Sequence, residues 1–213
     1  MKQNIIATCL VGLFACSNAQ TSHNNLFNHF YTQHLKTKVP KKGTQLFAEI
    51  NPQFFAFDGF GAGTGIEYAR FQTGFIYLTT KLTPTYRDAI FKNAQDATVP
   101  NNTALEVFTN VFLRKDRKGF YVGSILSYDW YKVIDNSTQQ SETFSKLYVV
   151  ARAGFRWFPF QEYVYLDGGY GVSFNLNNPE NRPLGNSLYS PKPLVTLPFF
   201  AVGCRVLLRN KTK

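Results

Sequence analysis

From Thr44 to Arg209 the hydropathy of the chain alternates with a period of two, and no stretch in that span keeps a helical repeat long enough to compete. This feature commits most of the molecule to β-structure. Eight strands are expected, at about 44–57, 60–70, 72–82, 104–114, 119–133, 143–158, 163–175 and 193–209. The links between them alternate in length. Those after the second, fourth and sixth strands are short ("RFQ", "KDRK", "PFQEY"), whereas those after the third, fifth and seventh are long and polar, as in "TPTYRDAIFKNAQDATVPNN" and "LNNPENRPLGNSLYSPK". In an up-and-down meander this gathers the tight turns on one side and the long loops on the other, the pattern of a transmembrane barrel. The hairpin at Asp58-Gly59 is the exception, short although it belongs to the long-loop side.

Each strand has an apolar and a polar face. Val164, Leu166, Gly168, Tyr170, Val172 and Phe174 oppose Asp167, Gly169, Gly171 and Ser173, and Leu147, Val149, Ala151, Ala153, Phe155 and Trp157 oppose Lys146, Tyr148, Val150, Arg152, Gly154 and Arg156. Leu105, Val107, Val111 and Leu113 stand likewise against Glu106, Asn110 and Arg114. A soluble lipocalin-like barrel would turn the apolar face inward, so alternation by itself leaves the orientation open. Size favours one answer. An eight-stranded barrel has an interior just wide enough for side chains, and Gly63, Gly65, Gly123, Gly154, Gly169 and Gly171 all fall on the charged face. The crowded inside is therefore the glycine and charge side, and the bulky aromatics belong outside.

That inner side carries Glu49, Glu67, Glu106, Asp129 and Asp167 against Lys81, Arg114, Lys146, Arg152, Arg156 and Arg205. Enclosed charges without partners are costly, so these are expected to pair across the lumen and close it. A lumen that passes or binds a small ligand is the alternative. Trp130, Tyr131, Trp157, Phe158, Phe160, Tyr163 and Tyr165 lie near strand ends, where aromatic girdles meet membrane interfaces. Pro52 and Pro198 fall within expected strands, and because a closed wall has no free edge for a residue without an N–H, bulges are expected at both.

The first residues read as an address. Lys2, the apolar run from Ile5 to Ala15 and Ser17-Asn18-Ala19 form a signal peptide, 1–19, with cleavage after Ala19; lipid attachment at Cys16 is a rival use of the same residues. Cleavage after Ala19 leaves Cys204 as the one remaining cysteine, which rules out an intramolecular disulfide and Cys-rich metal sites. It also removes one lysine and no acid, so the formal charge falls from +10 to +9. Residues 20–43 form an amphipathic helix and basic linker, with Leu26, Phe27, Phe30, Tyr31, His34 and Leu35 on one face and Pro40 as its stop. The barrel occupies 44–209 and a basic tail 210–213. Lys36, Lys38, Lys41, Lys42, Arg114, Lys115, Arg117, Lys118, Arg209, Lys211 and Lys213 would lie on the tight-turn side, facing anionic lipid head groups. Nucleic acid is not an expected partner, since these basic residues sit at strand ends of an exported barrel.

The hairpin of "ARAGFRWFPF" and "VYLDGGYGVSF" is the most typical part of a span, Thr44 to Arg209, that resembles the small eight-stranded outer-membrane β-barrels of OmpA-type and OmpX-type architecture. The resemblance implies an all-β, antiparallel, up-and-down barrel in the outer membrane of a Gram-negative-type bacterium, bounded by outer-membrane lipids. The segment Gly203 to Leu208 resembles the C-terminal signal that such proteins present to the barrel-assembly machinery, with aliphatic Val206 and Leu208 where aromatics are usual.

Lipid A palmitoyltransferases and deacylases are also small barrels, and they need a His beside Ser and a carboxylate. Here His23, His29 and His34 all precede the first strand, so that design has no base. "GAGTG" at 61–65 lacks the Lys-Ser/Thr and the helix of a phosphate loop. The expected protein is not an enzyme and holds no cofactor or metal. It is a structural or surface-interaction barrel whose long outer loops, 83–103 and 176–192, meet an extracellular partner that their composition does not name.

Overall fold

Antiparallel pairing runs once around the molecule and closes on itself. The structure is a computed structural model that describes residues 43–160, 163–177, 182–184 and 187–207. The signal peptide, the N-terminal helix and linker up to Lys42, the tail 210–213, and the basic residues Arg209, Lys211 and Lys213 lie outside the described residues. The strands are β1 (Gln45–Ile50), β2 (Phe60–Tyr68), β3 (Phe71–Leu82), β4 (Phe91–Lys92), β5 (Ala97–Phe112), β6 (Gly119–Asp135), β7 (Ser141–Phe160), β8 (Val164–Asn175), β9 (Arg182–Leu184), β10 (Ser187–Pro191) and β11 (Leu194–Leu207). Eight of them form a closed barrel in the order β1-β11-β8-β7-β6-β5-β3-β2.

The register fixes the geometry of the ring. From Phe174 the direct neighbour on β11 is Leu194. The other way round, through Val149, Leu126, Val107, Phe75, Thr64 and Ala48, the path reaches Cys204. The two arrivals differ by 204 minus 194, a stagger of ten residues. A stagger of that size accompanies a strand tilt of about 35–45°.

Prolines set where the wall changes. β1 stops at Ile50, well short of the expected 57, because Pro52 offers no N–H to the ladder and instead starts a 3-10 helix, Pro52–Phe57. Asp58, in the left-handed region (φ 52°), ends that helix and returns the chain to β2. No bulge forms at Pro198, where the pairing of β11 with β8 is continuous. β1 pairs with β11 no further than Ile50 with Val202, so among the described residues the strand has a partner at Pro198 on one flank only. A missing N–H is tolerated at such an edge. The bulges lie at other prolines: the register shifts between Thr98 and Asn101, around Pro100, and between Trp157 and Phe160, around Pro159.

On the long-loop side β5, β6 and β7 run past the other strands, so that the β6–β7 link is a turn over 136–140 and not a long loop. Their inner face is capped by a helix, α1 (Pro84–Ile90), and by a three-stranded sheet of order β4-β10-β9. Ile90, Phe91, Val99, Tyr131, Val133, Phe144 and Tyr189 form a buried apolar cluster there. The Phe91 ring meets Tyr131 edge-on at 5.1 Å. The outer mouth thus has a core of its own, separate from the cluster of Phe47, Ile76, Phe108, Ile125 and Tyr165 lower in the barrel.

Candidate functional site

The apolar faces point out and the ionic faces point in. Phe75, Val107, Leu126, Phe155 and Tyr170 are among the exposed large apolar residues, while Glu67, Arg156 and Asp167 are buried. A lipocalin-like arrangement would reverse both. From Phe120 to Trp130 β6 climbs about 25 Å, at about 3.4 Å per residue and a tilt of about 40°. That matches the apolar band of about 25 Å in membrane barrels. The band ends level with Lys81 on β3 and with Lys132, paired to Asn101 and Thr143, on β6. Below that level no described barrel-strand residue with a charge faces outward until the turns. Trp130 and Trp157 stand at the two rims as expected, but Tyr131 and Tyr165 from the same girdle point inward and are buried.

The lower lumen is closed by an ionic plug. Arg156 on β7 donates through Nη1 to Glu67 Oε1 on β2 (2.6 Å) and through Nη2 to Asp167 Oδ2 on β8 (2.7 Å) and Gln72 Oε1 (2.9 Å). The second oxygen of Glu67 faces Arg117 Nε at 3.1 Å and Arg205 Nη1 at 3.5 Å. Gln72 Oε1 also accepts from Asn110 Nδ2 (2.8 Å), whose amide oxygen accepts from Arg152 Nε (2.9 Å). Tyr121 donates its hydroxyl to Asp167. The guanidinium planes are further covered by rings: Arg156 lies 3.9 Å from the Tyr165 centroid and Arg205 4.1 Å from Phe158. Low dielectric and the many charge-assisted bonds hold this network together, although Gln45 Nε2, Gln72 Nε2 and Arg117 Nε have no hydrogen-bond partner among the described residues.

Glycines make room for those inward rings. A Cβ on Gly154 would fall on the Tyr121 ring, and one on Gly203 on the Tyr165 ring. The glycine side of the wall is therefore where the interior accepts aromatics, which a lumen of this width could not otherwise hold.

Above the plug the acids outnumber their ionic partners. Asp129 accepts from Ser127 (2.6 Å), Tyr131 (2.7 Å) and Tyr148 (3.1 Å), Glu49 accepts from Tyr165 (2.9 Å), and Glu106 lies 3.4 Å from the same Ser127 hydroxyl, whose one proton the shorter bond to Asp129 takes. Lys146 stands over the Tyr148 ring at 4.7 Å. These groups and Arg152 border a cavity of about 170 Å³ between plug and cap, whose other walls include Ile76, Leu78, Ile125 and Phe199.

Of the residues expected inside, Glu49, Glu67, Glu106, Asp129, Lys146, Arg152, Arg156, Asp167 and Arg205 are buried in the lumen. Two lie elsewhere. Lys81 faces outward at the rim, beside the register shift between Thr80 and Leu82. Arg114 is exposed in the turn after β5, where it binds Asp116 at 2.7 Å. Their place is taken by Arg117 of the same turn, which folds into the lumen and also donates to Gln45 Oε1 (2.6 Å) and Ala69 O (2.9 Å). Strand parity could not find Arg117, which belongs to no strand, whereas Gln72, Tyr121 and Tyr165 share the inward parity of their charged neighbours.

Outside the band, Asp135 organises the β6–β7 turn. Its carboxylate accepts from the Ser137 hydroxyl (2.6 Å), the Thr138 N–H (2.8 Å) and the Tyr189 hydroxyl (2.9 Å). The Ser137 hydroxyl first, then the Thr138 N–H, hold this carboxyl well below the usual carboxylate range against the opposing effect of burial. The described residues contain no cluster of His, Cys, Asp and Glu able to hold a metal.

A closed antiparallel ring of eight strands with an apolar exterior and an ionic interior defines the class: an eight-stranded transmembrane β-barrel. No family model matches the chain, and no curated protein matches it in sequence. Among solved structures it is similar to Neisserial surface protein A, with 15% identity, a TM-score of 0.40 and coverage of 78% of this chain and 96% of that one. It is also similar to the attachment invasion locus protein Ail of Yersinia pestis (11% identity, TM-score 0.39, 78% and 99% covered). A third is a major outer membrane protein of Thermus thermophilus (13%, 0.40, 76% and 98%). Identities are low and superpositions loose, so the chain's own surface, and not these likenesses, decides what its wall faces.

Proposed function

We propose that this chain is an integral outer-membrane protein of a Gram-negative-type envelope, with a sealed, non-conducting lumen and a structural or surface-interaction role without catalysis. The observation that carries the reading is Arg156, wholly buried and bound to Glu67 and Asp167 on two other strands, so that the lumen is spanned by charge pairs at their contact distance. An eight-stranded interior filled in this way leaves no continuous water path. Its partners on this reading are outer-membrane lipids around the belt, the barrel-assembly machinery that recognises the β11 end, and an extracellular partner at the cap and its loops. Planar bilayers test the sealed lumen. The refolded protein should insert without discrete conductance steps, and unitary channels at neutral pH would overturn the reading.

A further inference from the structure

The cavity between plug and cap has walls that ask for a hydrogen-bond donor. Asn51 Oδ1, Gln53 Oε1, Asn102 Oδ1 and the Ser173 hydroxyl, which can accept or donate, all belong to residues that line it, and none has a partner among the described residues. Asn51, Asn102 and Ser173 are more than nine-tenths buried. The Asn51 amide is oriented by its own bond, because Nδ2 donates to Phe200 O at 3.3 Å and so leaves Oδ1 as the free acceptor. To these neutral groups the same wall adds Glu106, 3.4 Å from a Ser127 hydroxyl that binds Asp129 more closely, and Glu49, which accepts from Tyr165. Three cations line the wall: Lys146 rests on Tyr148, Arg152 binds Asn110 and lies against Phe108, and Lys81 stands at the rim with its side chain exposed. Buried acceptors without donors are disfavoured, and among them a group with several N–H bonds and a positive charge is the best complement.

Ile76, Leu78, Ile125, Leu197 and Phe199 give the wall an apolar part, and its weakest point faces hydrocarbon. Above the Ile50–Val202 pair β11 has, among the described residues, no strand on one flank, and the 3-10 helix lies at that gap beside Pro198. Pro198 is exposed outside and also borders the cavity. Phe54 of the helix closes the gap from within, lying where a Cβ on Gly61 would stand. Backbone without a ladder is tolerated at membrane depth where it lines a protein cavity.

We propose that this cavity binds a small aliphatic primary amine, admitted sideways from the outer leaflet through the gap at Pro198 and Phe54, with its ammonium held by Glu106 and Glu49. At about 30 Å³ per water, a cavity of about 170 Å³ takes about six waters, or one small ligand with a short alkyl chain in their place. The proposal rests on the sealed-barrel reading, since an open lumen would leave no chamber.

Octylammonium is the probe, with octanoate and octanol as controls, on the full-length mature protein in detergent, read by native mass spectrometry. Octylammonium should give a single saturable one-to-one adduct, and both controls should bind at least about tenfold more weakly. Glu106→Gln should weaken the adduct by about tenfold or more while heat-modifiable migration on gels stays unchanged, and Ser173→Leu, which fills the cavity, should abolish it. Phe54→Ala should speed exchange of the bound amine; an unchanged rate overturns the sideways route. The binding site is overturned if octanoate binds as well as the amine, if Glu106→Gln leaves the adduct unchanged, or if no adduct forms and water alone fills the space. Conductance on the same preparation separates the two readings: electrically silent membranes without an adduct overturn only the cavity proposal, whereas channels overturn the sealed lumen and this proposal with it.

Discussion

Arg156 serves three acceptors with one planar group, and its burial makes each of them depend on it. Removing it leaves Glu67 with its more distant arginines and strips Asp167 of its ion pair at 2.7 Å. Arg156→Ala should therefore cost about 3–5 kcal/mol in urea unfolding from lipid vesicles, the loss typical of one partner taken from a buried charge network. Arg156→Lys should recover little, because an ammonium cannot reproduce a fork aimed at Glu67 and Asp167 together. A loss below about 1 kcal/mol would mean that water already screens the plug, against the dry interior drawn above. At this scale strand parity located most of the lumen: Glu49, Glu67, Glu106, Asp129 and Asp167 are all buried on the side their alternation assigns. It failed at Lys81 and Arg114, both at strand ends, where a shifted register or a turn breaks the alternation.

At the scale of elements, prolines mark where the wall is interrupted, and their meaning depends on neighbours that lie far away in sequence. Pro52 and Pro198 look alike along the chain, yet one starts a 3-10 helix and the other lies opposite the strand that this helix cut short. No local signal ties residue 52 to residue 198, which is why bulges were the expected outcome. The long outer strands were illegible for a similar reason. Tyr131, Val133 and Phe144 are covered by α1 and the small sheet of β4, β9 and β10, so their burial comes from contacts that alternation does not register. The pairing of Pro198 gives a direct test. Pro198→Ala should change stability by less than about 1 kcal/mol, through the unfolded chain alone. Val149→Pro, on a strand paired on both flanks with Leu126 and Phe174, should cost about 3 kcal/mol or more. Equal costs measured by urea unfolding would mean that β11 is paired on both sides at Pro198.

For the whole molecule, the decisive quantity is the depth profile of its outer surface. Solvent contact would make the exterior an unusual one for a soluble protein: Phe75, Phe120, Trp157 and Tyr170 are each more than half exposed, in a continuous apolar belt around the ring. In hydrocarbon the same belt needs no other cover, and the closed ladder satisfies the backbone wherever β1 and β11 meet. The two environments predict different responses to the same substitution. Leu126 lies near the middle of the belt, and in a bilayer Leu126→Arg should cost about 2–4 kcal/mol. Thr143, paired with Lys132 above the belt, also faces outward, and Thr143→Arg should cost at most about 1 kcal/mol. In water an exposed Leu replaced by Arg would be close to neutral at either level, within about 0.5 kcal/mol. Urea unfolding of both variants from vesicles therefore reads the position of the membrane on the barrel, and a Leu126→Arg loss no larger than that of Thr143→Arg would take the hydrocarbon away from this surface.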